Sequence, residues 1–232
     1  ILLITFMVFK TDFSSAVLIF TTSLALLFIG RISMKFFLPL LGIGVAGLVT
    51  IVFLSFHYPG IVPRGPEIES RIDQYFHPDP EKNDQYLQAK IAIATGGFVG
   101  KMPGNSTRRL FLQLAFSDYI YAFLIEEYGL LGGIVILFLY LVLLFRSVKI
   151  ARVSNTKFGS FLVIGIILML GIQTLMHMAV SVNLLPVTGQ TLPFLSMGGS
   201  SYLVTCAGLG MVLSVSKYVE QNAERGQSLS YA

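Results

Sequence analysis

The chain has 232 residues, of which 54% are hydrophobic and only 12% charged, with a formal net charge of +4. A soluble domain carries about twice that charged fraction, so the composition excludes an ordinary soluble enzyme and gives no basic surface for nucleic acid. The single cysteine, Cys206, excludes an intrachain disulfide and a cysteine metal cluster.

In chain order, Ile1–Phe9 is an apolar stub too short to cross a bilayer. It reads as the tail of a helix that begins earlier in a longer protein, and it lacks the basic start and cleavage site of a signal peptide. Five uncharged or nearly uncharged runs follow: Phe13–Gly30, Phe36–Phe56, Tyr119–Phe145 (interrupted only by Glu126 and Glu127), Phe158–Val182 and Leu192–Val215. Each is close to the ~20 residues of a membrane-spanning helix. None alternates apolar and polar residues as a barrel strand would. The predicted fold is an all-α polytopic membrane protein, one domain over 1–232.

The exception to this apolar pattern is the segment 57–117. Val62–Glu81 holds Pro63, Pro66, Pro78 and Pro80 with several charges, and reads as an ordered, irregular loop. Asp84–Thr95 places Tyr86, Leu87, Ile91 and Ala94 near helical spacing, which predicts a short amphipathic helix. Gly96, Gly97, Gly100 and Gly104 then break regular structure. Structureless connections beyond about 15 residues are usually functional or disordered. This one ends at an acid and is read as functional.

Orientation follows from the basic residues. Arg31 and Lys35 lie between spans one and two. Arg146, Lys149, Arg152 and Lys157 lie between spans three and four, and Lys217 and Arg225 follow span five. The positive-inside rule places these three sites in the cytoplasm. Segment 57–117 and the uncharged Ser181–Thr191 are then outside.

Asp118, Glu126 and Glu127 lie in or beside an apolar run. An acid at a helix centre in lipid costs at least about 2.5 kcal/mol, so each needs a reason to be there. Asp118, at the outer end of span three, is either a catalytic carboxylate or an acid at a helix start. Glu126 and Glu127 lie about 12 Å further along, too far for direct proton transfer, and read as structural hydrogen-bond partners. Lys101, Arg108 and Arg109 precede Asp118 and would grip phosphate oxygens or anchor lipid headgroups. Gly198-Gly199-Ser200-Ser201 opens the last helix, where free N–H groups favour anions and glycines equally favour close packing. Asp12 either lines the same outer cavity or caps the first span. His57, His77 and His177 have no metal-ligand spacing.

Several of these stretches form an ordered set of motifs. Lys10-Thr11-Asp12-Phe13-Ser14-Ser15-Ala16 is similar to Q-P-D-x-G-T-A. His77-Pro78-Asp79-Pro80 with Gln85-Tyr86-Leu87-Gln88 is similar to N-P-x-x-D-P…Y-Q-x-x-Q. Gly96-Gly97-Phe98-Val99-Gly100 fits G-G-x-x-G, Ser117-Asp118-Tyr119-Ile120-Tyr121-Ala122 fits H-T-D-F-I-F-A, and Glu126-Glu127-Tyr128-Gly129-Leu130 fits E-E-x-G-L. Pro186-Val187-Thr188-Gly189…Leu192-Pro193-Phe194-Leu195-Ser196-Met197-Gly198-Gly199-Ser200-Ser201 fits P-x-T-G-x-x-L-P-x-x-S-x-G-G-S-S. In this order the motifs resemble the SEDS family (shape, elongation, division and sporulation), the FtsW, RodA and SpoVE group, across nearly the whole chain. Phe116, Gln113-Leu114, His177, Asn183, Gln190 and Met197 depart from the usual pattern. Gly104-Asn105-Ser106 resembles the FtsW branch more than the RodA branch.

The resemblance implies a ten-helix bundle of which this chain holds the last five helices. It implies a multi-pass protein of the bacterial cytoplasmic membrane that polymerises lipid II into glycan strands during cell division. It implies a class B penicillin-binding protein transpeptidase as partner, with other divisome membrane proteins. The catalytic Asp of the family falls on Asp118. Substrate contacts are expected from Lys101, Arg108, Arg109, Asp12, Gln88, Ser196, Gly198, Gly199 and Ser200. A divalent cation, Mg or Mn, is linked to the family's activity, though no cofactor and no ligand cage is evident in the sequence. Family active sites also draw on helices this chain lacks, so the fragment alone is expected to be inactive. Two other readings fit the same composition: a flippase for lipid II or another polyprenyl lipid, and a non-catalytic scaffold of the division complex.

Overall fold

The structure is a computed structural model. It describes residues 1–57, 65–77, 84–106, 118–154 and 156–230, with the side chains of 84–86 and 223–230 left out. The described residues form eight helices in chain order: α1 (Leu2–Phe9), α2 (Phe13–Ile29), α3 (Met34–His57), α4 (Gly65–Phe76), α5 (Asp84–Gly96), α6 (Ile120–Val153), α7 (Lys157–Ser181) and α8 (Gly199–Ser230). Four are long and apolar enough to cross a membrane: α3, α6, α7 and the Gly199–Asn222 part of α8. The fifth predicted span, α2, is a shorter apolar helix that rises about 25 Å.

α7 is the central post. It packs on α2, α6 and α8, and 33% of its most apolar window is buried, against none for α3. α3 instead touches α2 and α4 and otherwise presents apolar side chains outward. Near one end of the bundle, Ala151, Val163 and Val212 join α6, α7 and α8 in one buried cluster. At the other end, Tyr121 and Ile125 of α6 meet Met178 of α7 and Leu192. A neighbouring cluster brings Ala89 of α5 onto Tyr119, Ala122 and Phe123 at the start of α6.

One expectation is corrected. Val62–Glu81 is not irregular throughout, because Gly65–Phe76 is helical. Pro66 falls in the first turn, where its missing N–H costs nothing. Ile68 is buried, and Arg71 pairs with Glu67 one turn away at 2.7 Å. The apolar run that begins at Leu192 turns helical where the sequence placed the opening of the last helix, since α8 starts at Gly199. Leu192–Gly198 forms a turn closed by hydrogen bonds from Leu195 N and Ser196 N to Leu192 O, and from Leu192 N to Ser196 Oγ at 2.7 Å. Proline at 193 and glycines at 198 and 199 oppose helix there. The predicted helix over Asp84–Thr95 is observed as α5, which ends where the glycines begin.

The third predicted span is two helices joined by a break. Gly129 has φ 72° and ψ −178° inside α6, a conformation essentially restricted to glycine. Beyond it, Leu130–Val153 rises about 36 Å, enough to cross a hydrocarbon core alone. The preceding piece, Ile120–Tyr128, is a separate short helix. Tyr121 reaches over the break and donates to Gly133 O at 3.1 Å, which fixes the angle between the two pieces.

A break leaves backbone groups without helical partners, and in a membrane these must be satisfied by protein. Here the glycine-rich loop after α5 satisfies them. Lys101 N donates to Glu126 O and Met102 N to Glu127 O, each at 3.0 Å. In return Leu130 N donates to Gly97 O at 2.9 Å and Leu131 N to Phe98 O at 3.3 Å. The strand-like pairing needs close approach. A Cβ on Gly96 would collide with Ile125 O, one on Gly100 with Glu127 O, and one on Gly129 with Phe98 O, all of them backbone atoms.

Gly129→Ala is expected to cost at least about 1–3 kcal/mol from backbone strain alone. Gly97→Ala, where a Cβ meets nothing within 4 Å, should cost only about 1–2 kcal/mol. Denaturant or thermal unfolding of the detergent-solubilised full-length protein checks the order. Equal losses would mean that the loop does not dock on the break.

Candidate functional site

The sequence motifs converge on the short helix Ile120–Tyr128. Glu126 is fully buried. Its carboxylate accepts from Lys101 Nζ at 2.7 Å through Oε1 and from Ser106 Oγ at 2.6 Å through Oε2. Glu127 accepts from Gly104 N at 3.3 Å. The two glutamates therefore hold side chains and backbone of the glycine loop while their carbonyls hold its N–H groups. Both are structural hydrogen-bond partners, as expected. The ammonium of Lys101 is correspondingly engaged by Glu126, so its expected role as a phosphate ligand is not what this geometry presents. Arg108 and Arg109 lie outside the described residues, as do Gln113, Leu114, Phe116 and Ser117.

Asp118 stands two residues before α6, half-buried. Tyr119, beside it, is almost completely buried against Ala89 of α5. Gln88 immediately precedes Ala89, so the motif residues Gln88 and Asp118 each precede one partner of that contact. The residue capping α6 is Tyr119, with no side-chain cap hydrogen bond. The capping alternative for Asp118 is thus not realised. Among the described residues no hydrogen bond or ion pair holds its carboxylate.

Asp12 presents the opposite case. It caps α2, accepting from Ser14 N at 3.1 Å, from Ser15 N at 3.2 Å and from Ser15 Oγ. It also accepts from Gln190 Nε2 at 3.1 Å. Its carboxylate joins the start of α2 to the uncharged loop 182–191, so the cap reading describes it.

That loop is held from every side. Arg71 of α4 donates to Thr188 O at 3.1 Å and Tyr75 to Leu184 O at 3.1 Å. Gln173 of α7 donates to Thr191 O at 2.8 Å, and Tyr140 of α6 to Pro193 O. Val187 packs onto the Ala89–Tyr119 cluster. Ser196 closes the Leu192–Gly198 turn, while Gly199 and Ser200 are exposed at the first turn of α8. The second glycine motif therefore lies below the short helix through Leu192, and its serine shapes a turn. Sequence reasoning did not identify Arg71, Tyr75, Tyr140, Gln173 or Ser106 as anchors. The Glu67–Arg71 spacing was the one local signal available for them.

No three His, Cys, Asp or Glu side chains converge among the described residues. That donor set does not build an all-protein cage. A magnesium site made by one carboxylate with substrate phosphates would not require one, and Asp118 is the described acid that could serve it.

Comparison with known proteins gives consistent matches. A family model described as "Cell cycle protein", covering FtsW, RodA and SpoVE, matches residues 1–221. A "Probable peptidoglycan glycosyltransferase FtsW" of Marinobacter nauticus is 37% identical over 216 residues, covering 90% of this chain and 52% of that protein. "Stage V sporulation protein E" of Bacillus subtilis is 36% identical over 213 residues, covering 90% and 56%. A solved chain from work on "Structural coordination of polymerization and crosslinking by a peptidoglycan synthase complex" superposes with a TM-score of 0.62 at 25% identity, covering 89% of this chain and 56% of that one. The chain spans about half the length of the curated relatives it matches.

Lys101→Met would leave Glu126 buried without its cation, at an expected cost of about 3–5 kcal/mol. The double change Lys101→Met with Glu126→Leu should recover most of it. Denaturant unfolding of the full-length protein reads both. A neutral single variant would mean that Glu126 is reached by water.

Proposed function

The chain belongs to the FtsW/RodA/SpoVE family of cell cycle proteins, and on that premise we propose that it is part of a peptidoglycan glycosyltransferase in which Asp118 is the general base. The substrate on this reading is lipid II, at the outer face of the bacterial cytoplasmic membrane. The partner is a class B penicillin-binding protein, with other division proteins around the pair. The name of the Marinobacter relative and the assembly of the solved neighbour support the reaction class.

The observation that carries the reading is how the motif acids are used. Asp12, Glu126 and Glu127 each accept hydrogen bonds within the protein. Asp118 accepts none among the described residues, and its neighbour Tyr119 packs against Ala89 of α5 in the cluster that Val187 joins. A carboxylate that no other described side chain or backbone group holds is available to a substrate hydroxyl.

Joining two lipid II units replaces an α-linked diphosphate with a β-glycosidic bond, so the reaction inverts. Asp118 takes the proton of the acceptor hydroxyl as that oxygen attacks the anomeric carbon, and the electron pair of the breaking bond leaves with the diphosphate. General-base assistance of this kind contributes about 10²–10⁴-fold. A divalent cation, where one is bound, would supply charge for the leaving diphosphate. Gln88, Ser196, Gly198, Gly199, Ser200 and the arginines 108 and 109 remain candidate substrate contacts on this reading.

A lipid transporter is the second reading, because broken helices often carry cargo sites. The break in α6 supports it less, since its freed backbone groups are taken by the glycine loop.

In full-length protein bound to its partner, Asp118→Asn should lower lipid II polymerisation by about 10²-fold or more with the folded complex intact. Glu127→Gln should retain most activity. Normal polymerisation by folded Asp118→Asn would rule out the general-base role. Movement of lipid II across a reconstituted bilayer without polymer would favour transport.

A further inference from the structure

Far from Asp118, between α6 and α8, runs a cleft of about 630 Å³. Its size lies within the roughly 300–1,000 Å³ of small-molecule sites. The wall is apolar, formed by Leu143 on α6 and by Leu209 and Leu213 on α8. Toward the helix ends the lining turns polar, with Arg146 and Lys149 on α6 and Ser216 and Glu220 on α8. Along its length the cleft passes from an apolar stretch to one that carries charge, in the manner of a lipid with a charged head.

The charges there are unspent. Lys101 and Arg71 are ion-paired elsewhere in the molecule, whereas Arg146, Lys149 and Glu220 make no ion pair and Ser216 no hydrogen bond among the described residues. Arg146 and Lys149 are three residues apart and share a helix face. Their stems can lie along apolar surface while the charged ends meet the membrane interface. From Leu130 to Lys149, α6 rises about 28 Å, so this cleft is nearly a bilayer's depth from the glycine loop. It belongs to the leaflet that the basic connections place in the cytoplasm.

We propose that the α6–α8 cleft binds one anionic glycerophospholipid of the inner leaflet, its phosphate on Arg146 and Lys149 and an acyl chain along Leu143, Leu209 and Leu213. Basic clefts between membrane helices on the cytoplasmic side suit such headgroups, and the arginine fork matches phosphate oxygens. Glu220 faces the same mouth and sets an upper limit on affinity through repulsion. The site goes beyond glycan synthesis and does not depend on the role of Asp118.

The test is native mass spectrometry of the full-length protein extracted from bilayers of phosphatidylglycerol and phosphatidylcholine, counting retained phosphatidylglycerol. Arg146→Gln with Lys149→Gln should cut retention about tenfold or more. Arg152→Gln with Lys157→Gln, cations of the same connection outside the cleft, should leave it within about twofold, as expected for screened surface charge. Glu220→Gln should raise retention, and Leu213→Trp should lower it by filling the groove without changing charge. Equal losses from the two cationic pairs would reduce the effect to general leaflet attraction and overturn the site. Unchanged retention in every variant would mean that the rest of the full chain covers the cleft, and would overturn it too. Displacement of phosphatidylglycerol by a stoichiometric polyprenyl diphosphate would reassign the cleft to that lipid.

Discussion

The arrangement of this end of the bundle depends on four backbone hydrogen bonds between the glycine loop and the break in α6. A helix interrupted at Gly129 would expose carbonyls at 126 and 127 and N–H groups at 130 and 131 to an environment with few donors or acceptors. The loop supplies all four partners, and three glycines let the two backbones approach closely enough. The buried Glu126 then adds Lys101 and Ser106 to the same junction.

Once the break is secured, the short helix Ile120–Tyr128 becomes a platform. α5 covers one side through Ala89 and Ile93, and loop 182–191 covers another through Val187 and Leu192. Irregular backbone at this depth is tolerated only when protein satisfies it. Here that task falls to Arg71, Tyr75, Gln173 and Tyr140, which donate to carbonyls of residues 184–193. The described motif residues around Asp118 thus serve largely to hold the platform. That role explains why so many polar groups persist in a chain this apolar.

The five-helix pattern was legible because a spanning helix needs a long uncharged run and nothing else. The short helix α5 was legible from its spacing, and the end of α5 from its glycines. The break in α6 was not read from sequence. Gly129 sits inside a run broken only by Glu126 and Glu127, and its backbone conformation depends on a loop some thirty residues earlier in the chain. Helix α4 was missed because proline density suggested a loop, although Pro66 occupies the one helical turn that accepts it. Lys101 was read as a phosphate contact or a headgroup anchor because its proximity to Asp118 was visible while its pairing with Glu126, 25 positions away, was not. Asp12 left two roles open in the sequence, and only Gln190, on a distant loop, shows how its cap is used.

The central claim is that the glycine loop and the broken helix form one unit. Hydrogen–deuterium exchange on the intact full-length protein in its membrane reads this directly. Slow exchange of the Lys101, Met102, Leu130 and Leu131 amides, with the loop and the break opening together, is the expected result. Rapid exchange across 97–104 while Ile120–Tyr128 stays protected would contradict it.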